Sequence, residues 1–75
     1  MKYEVTYAYR NFVDNTEIKE THVVGSFKRA LELVEVLYGI EKRIFRFNDM
    51  LNCYCAGNYI GSVAETCFIE EYIEV

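Results

Sequence analysis

The residues best suited to chemistry are His22, the sole histidine, and three cysteines, Cys53, Cys55 and Cys67. A thiol nucleophile needs a base within hydrogen-bond reach, a group that orients the base, and donors for an oxyanion. Thr21 and Ser26 are the hydroxyls nearest His22 in sequence, and no spacing pairs it with a cysteine, so His22 reads as an edge or surface residue without a catalytic role. The four residues also make a nominal Cys3His zinc set. Structural zinc sites separate their first two cysteines by two to four residues so that a turn aims both at the metal. Cys53 and Cys55, two apart in an extended segment, are poorly aimed for that, and neither a metal nor another cofactor is expected. On one face of a strand their side chains stand roughly 6–7 Å apart, an awkward span for a disulfide, so all three thiols are read as reduced.

Carboxylate and glycine patterns also point away from catalysis. Glu70 and Glu71 are adjacent, which on a strand sends them to opposite faces, where they share neither a proton nor a metal. Gly25, Gly39, Gly57 and Gly61 are scattered as punctuation rather than gathered into a phosphate cradle, and the Gly57 to Gly61 spacing suits a hairpin. The chain therefore reads as non-enzymatic.

Charge placement is more informative. The chain has 75 residues, enough for a single domain over 1–75, with 52% hydrophobic residues and a net charge of −4. That sign disfavours direct nucleic-acid binding, whose affinity comes from neutralising phosphates. Residues 1–50 are electrically balanced; residues 51–75 contain no Lys or Arg and carry Glu65, Glu70, Glu71 and Glu74. Tyr54, Tyr59 and Tyr72 are interspersed with these acids. Such a segment can imitate a phosphate track and engage a basic groove on another protein.

The elements that position these groups follow from hydrophobic period. Residues 2–10 alternate, with Tyr3, Val5, Tyr7 and Tyr9 on one face, which predicts a strand. Asp14 and Asn15 tolerate the left-handed backbone of a tight turn, and residues 17–24 return as an edge strand. Ser26 is suited to cap a helix in which Phe27, Ala30, Leu31, Val34, Leu37 and Tyr38 share a face, and Gly39 to end it. Strands are expected at 43–48 and 51–55, a reversal at Ala56-Gly57-Asn58, a short strand at 59–63, and a final strand within 65–75. The predicted fold is α+β, a two-layer sandwich: an antiparallel sheet of four to five strands in the order β-β-α-β-β-β, with one helix packed on one face. With seven tyrosines and five phenylalanines, the other face is expected to expose aromatic surface or meet a partner.

No run approaches the ~18 apolar residues of a membrane span. The sequence also enters its first strand without a signal-peptide core, which leads to an expectation of a cytoplasmic protein. The tyrosine-rich first strand, the hairpin and the run Gly25-Ser26-Phe27-Lys28-Arg29-Ala30-Leu31-Glu32-Leu33-Val34 together resemble short phage and mobile-element proteins, including small anti-CRISPR proteins. The resemblance covers about the first 40 residues. It implies an inhibitor in the host cytoplasm that occupies the basic nucleic-acid channel of a CRISPR effector or another nucleic-acid-handling complex. Partner contacts are then expected from Glu65, Glu70, Glu71, Glu74, Tyr54, Tyr59 and Tyr72. The alternative is a homodimeric accessory domain associating through an aromatic sheet face.

Overall fold

A computed structural model describes residues 1–73. Five strands, β1 (Lys2–Asn11), β2 (Thr16–Val24), β3 (Arg46–Asn48), β4 (Cys53–Ile60) and β5 (Val63–Tyr72), form one antiparallel sheet in the order β2-β1-β5-β4-β3. Among the described residues there is one α-helix, α1 (Phe27–Tyr38), which follows β2, and a 3-10 turn (Lys42–Ile44) leads into β3. The fold is thus a small α+β unit with one helix and a five-stranded antiparallel sheet.

Local sequence explains the helix well. Ser26 is extended, and its hydroxyl accepts from the Arg29 amide at 3.2 Å. This satisfies one of the amides that the first helical turn leaves without a partner. Gly39 closes the helix at φ 69, where a Cβ would be strained, and its amide donates to the Glu35 carbonyl at 3.0 Å. Ala30 and Val34 are fully buried, joining Val5, Tyr7, Ala56, Cys67 and Ile69 of the sheet in one core. Phe27 meets Tyr3 edge-on, with ring centroids 5.6 Å apart. Leu37, assigned to the buried face by spacing, is half exposed instead, and Leu33 packs on the core.

The first hairpin turns where Asp14 and Asn15 predict. Asp14 Oδ1 accepts from the Thr16 amide at 3.0 Å, and Asn15 takes φ 61. The second half of the sheet departs from expectation. Ala56-Gly57-Asn58 does not reverse the chain: β4 runs through it, with Ala56 opposite Cys67, Gly57 opposite Thr66 and Asn58 opposite Glu65. Ala56 is drawn into the core, and Gly57 keeps a negative φ, so this stretch stays extended. The reversal falls at Gly61-Ser62, between the paired Ile60 and Val63, with Gly61 at φ 59. A two-residue hairpin demands positive φ at that position. The strand expected over 43–48 is shortened to three residues, because 42–44 form the 3-10 turn that buries Phe45 behind the helix end.

The registers divide the side chains between the two faces. On the helix side lie Tyr3, Val5, Tyr7 and Tyr9 of β1, Ile18, Glu20, His22 and Val24 of β2, Tyr54, Ala56, Asn58 and Ile60 of β4, and Glu65, Cys67, Ile69 and Glu71 of β5. The first-strand tyrosines are therefore on the helix side. The other face is mixed, with Glu4, Thr6, Ala8 and Arg10 of β1 beside Thr66, Phe68, Glu70 and Tyr72 of β5. The aromatics of that other face are thus Phe68 and Tyr72 of β5 and the exposed Tyr59 of β4, while the first-strand tyrosines go where the helix supplies a second apolar surface.

Candidate functional site

The helix is shorter than the sheet it lies on. Twelve helical residues span about 18 Å, whereas the ten residues of β1 span about 33 Å. Phe27 sits against Tyr3 and Tyr38 against Tyr7, so α1 runs along β1 and stops near its middle. Past Tyr38 the helix side of the sheet continues as a ledge bearing Tyr9, Ile18, Asn58, Ile60 and Glu65, of which Tyr9 packs on the core and Asn58 and Glu65 meet Gly39, Ile40 and Ile44 around a small cavity. Ile18 is 46% exposed and Ile60 69%.

At the step between helix and ledge lies a polar cluster. The Tyr7 and Tyr38 rings stack at 3.7 Å. The Tyr7 hydroxyl donates to Glu65 Oε2, and the Tyr38 hydroxyl donates to Glu20 Oε1 at 2.9 Å. His22 Nε2 is 3.0 Å from the same Tyr38 oxygen. Two carboxylates, drawn from strands at different positions in the sheet, are thereby held on either side of one stacked pair. Beside Glu65 a cavity of about 60 Å³ opens between Gly39, Ile40 and Ile44 on the helix side and Ala56, Gly57 and Asn58 on β4.

The electrostatics suit binding better than acid-base work. Burial and the bond to Glu65 push the Tyr7 hydroxyl far above its usual range. Burial and Glu20 push Tyr38 up to about 12. Neither phenol is a base near neutral pH. Burial raises the Cys67 thiol to about 12, with Glu65 adding to the effect, so its thiolate is scarce under the same conditions. Burial, and then the neighbouring Cys55, raise Cys53 to about 11.

The cysteines divide between the faces. Cys67 lies under the helix, while Cys53 and Cys55 share the opposite face with their sulfurs 3.6 Å apart, nearer than strand spacing alone suggests. All three are free thiols. Among the described residues no three His, Cys, Asp or Glu side chains converge as a metal site.

The acids singled out by sequence do not form one patch. Glu65 and Glu71 share the helix side but are separated by about 20 Å along β5. Glu70 is on the other face, directly opposite Glu4, as a like-charged cross-strand pair. Glu74 lies outside the described residues. Of the tyrosines, Tyr54 packs on the helix side against Phe27 and Phe47, with centroids at 4.7 and 5.2 Å. Tyr59 projects from the other face, 74% exposed, and Tyr72 shares that face half-buried. Sequence reasoning missed Glu20 and Tyr38 as site residues. The available signal was their joint period-two and period-3.6 placement on faces that turn toward each other.

No protein-family model, no curated protein and no solved structure matches this chain. No helix among the described residues is long and apolar enough to cross a membrane.

Proposed function

We propose that this protein is a non-enzymatic interaction protein that blocks a basic nucleic-acid-binding surface of a host defence complex, in the manner of an anti-CRISPR inhibitor. We read the helix and sheet as the two layers of an α+β sandwich whose shorter layer leaves the ledge free. The observation that carries the reading is Glu65, a carboxylate fixed by Tyr7 at the edge of a small cavity and on the same sheet face as exposed Ile18 and Ile60. A basic segment brings what this arrangement complements, namely cationic heads for the carboxylates and aliphatic stems for the isoleucines. Exposed ion pairs are each worth only ~0–1 kcal/mol, so affinity rests on the apolar ledge, and the carboxylates supply orientation and steering. Glu70 with Glu4 on the opposite face contributes long-range field in the same sense.

The test uses guide-loaded CRISPR effectors of the producing cell and their target DNA in a band-shift assay, at about 50 mM and about 300 mM salt, where exposed charges are screened to different extents. Addition of the protein is expected to abolish DNA binding at low salt and to do so less effectively at high salt. Glu65→Gln keeps the acceptor for Tyr7 and Glu65→Lys reverses the charge; the first should weaken the block and the second remove it, while Glu71→Lys, at the far end of β5, should leave it intact. If DNA binding by every effector is untouched at low salt, or Glu65→Lys blocks as well as the parent, this function is wrong.

A further inference from the structure

The two edges of the sheet are managed very differently. On one side the edge is broken: β3 is three residues long and pairs only with Cys53–Cys55, so the outer edge steps to Ala56–Ile60 of β4, where Gly39, Ile40 and Ile44 line one cavity with Ala56, Gly57 and Asn58. β2 is nine residues long and keeps unbroken register with β1 from Thr16 to Val24, with no bulge and no proline. Every second residue of such an edge offers its N–H and C=O outward without a strand to receive them, a template for another extended chain.

The sequence of β2 selects the occupant. Antiparallel pairing of two copies about a twofold axis through one residue places each remaining residue opposite its mirror position, on the same face. An axis at Lys19 sets Lys19 against itself, and one at Glu20 sets Glu20 against itself; both are like-charged oppositions. An axis at Thr21 pairs residues 18–24 over seven positions. Ile18 then faces the second copy's Val24, Glu20 faces its His22 on both sides of the axis, Lys19 faces Val23, and Thr21 meets Thr21. An axis at Ile18 also avoids like charges but pairs only residues 16–20. Glu20 and His22 are already held by the Tyr38 hydroxyl, at 2.9 and 3.0 Å, so little side-chain freedom remains to be lost when they pair.

We infer that the protein forms a homodimer by antiparallel pairing of its β2 edges about Thr21, joining two five-stranded sheets into one. This surface is distinct from the sheet faces, and its test reads mass and cross-linking rather than partner binding.

Sedimentation equilibrium at tens of micromolar should return twice the 8.9 kDa chain mass. Thr21 is exposed, so Thr21→Lys should fold with unchanged circular dichroism yet sediment at the single-chain mass, because two ammonium groups then oppose each other at the axis. Under mild oxidation Thr21→Cys should give a covalent dimer absent from the parent, since directly opposed strand positions lie within disulfide reach. Ile18→Cys should not. A parent of single-chain mass at 100 μM, a Thr21→Lys variant that remains dimeric, or cross-linking through Ile18→Cys in place of Thr21→Cys would each overturn the inference.

Discussion

Tyr7 and Tyr38 lie face to face, their ring centroids 3.7 Å apart and their planes 3° from parallel, and each gives its hydroxyl to a different carboxylate. The stack joins β1 to the last residue of α1, so the helix end, β1 and the two acids Glu20 and Glu65 are one mechanical unit. Removing the ring and removing the hydroxyl should therefore have separable effects.

Tyr38→Phe keeps the stack and deletes the donor. It should cost about 1 kcal/mol, or a fall of about 4–8 °C in Tm for a domain of this size. Tyr38→Ala also loses the ring contact and should cost at least ~2 kcal/mol more. Urea denaturation of the two variants checks the difference; equal losses would mean that the stack contributes nothing.

The core is small, and its centre is narrow. Ile69 and Val34 are almost wholly buried and come from the strand and helix that face each other. Ile69→Ala should cost about 2–5 kcal/mol. For a chain with a stability of roughly 5–10 kcal/mol, this removes a large share, and the fraction unfolded at 37 °C by circular dichroism is the measurement.

Two glycines test the turn assignments. Gly39→Ala forces a Cβ into φ 69 with open space around it, so the cost is backbone strain alone, about 1 kcal/mol. Gly57→Ala places its Cβ 3.6 Å from the Tyr59 ring, an ordinary contact, at a position that is extended rather than turned. It should be neutral or mildly stabilising in a thermal melt, whereas a turn at Gly57 would make it costly.

Alkali should weaken the fold in a defined window. Cys67 is raised from 9.0 to about 12 and Tyr38 from 10.0 to about 12. Well below pH 9 both states hold these protons, and these two groups leave stability unchanged. Between about pH 9 and 12 the unfolded chain releases them while the folded chain keeps them, so the unfolded state binds fewer protons and stability falls as pH rises. Urea midpoints at pH 8 and 10.5 should differ in that direction, with a smaller difference in Cys67→Ala. In the native protein at pH 8, Cys55 should react with a thiol reagent before the buried Cys53 and Cys67.

Much of the fold was legible because several local signals agreed. In β1 the alternation of Tyr3, Val5, Tyr7 and Tyr9 matched strand period, and in α1 the apolar spacing was bracketed by Ser26 and Gly39. At Ala56-Gly57-Asn58 a local turn preference competed with long pairing against β5, and pairing with burial of Ala56 prevailed. The site was less legible. Proximity in sequence grouped Glu65, Glu70 and Glu71, but the two-residue period of a strand separates neighbours onto opposite faces.

The sequence by itself therefore determined which residues alternate, where the helix begins and ends, that β2 is an edge, and that charge is concentrated in the last third. The tertiary structure decided that β5 enters the middle of the sheet between β1 and β4, that the helix stops halfway along β1, and that Glu65 meets Tyr7 rather than Glu70 or Glu71. The reason is physical: period and capping act over a few residues and fix faces and ends, whereas strand order and the meeting of side chains 58 positions apart follow from which apolar faces the whole chain can bury together.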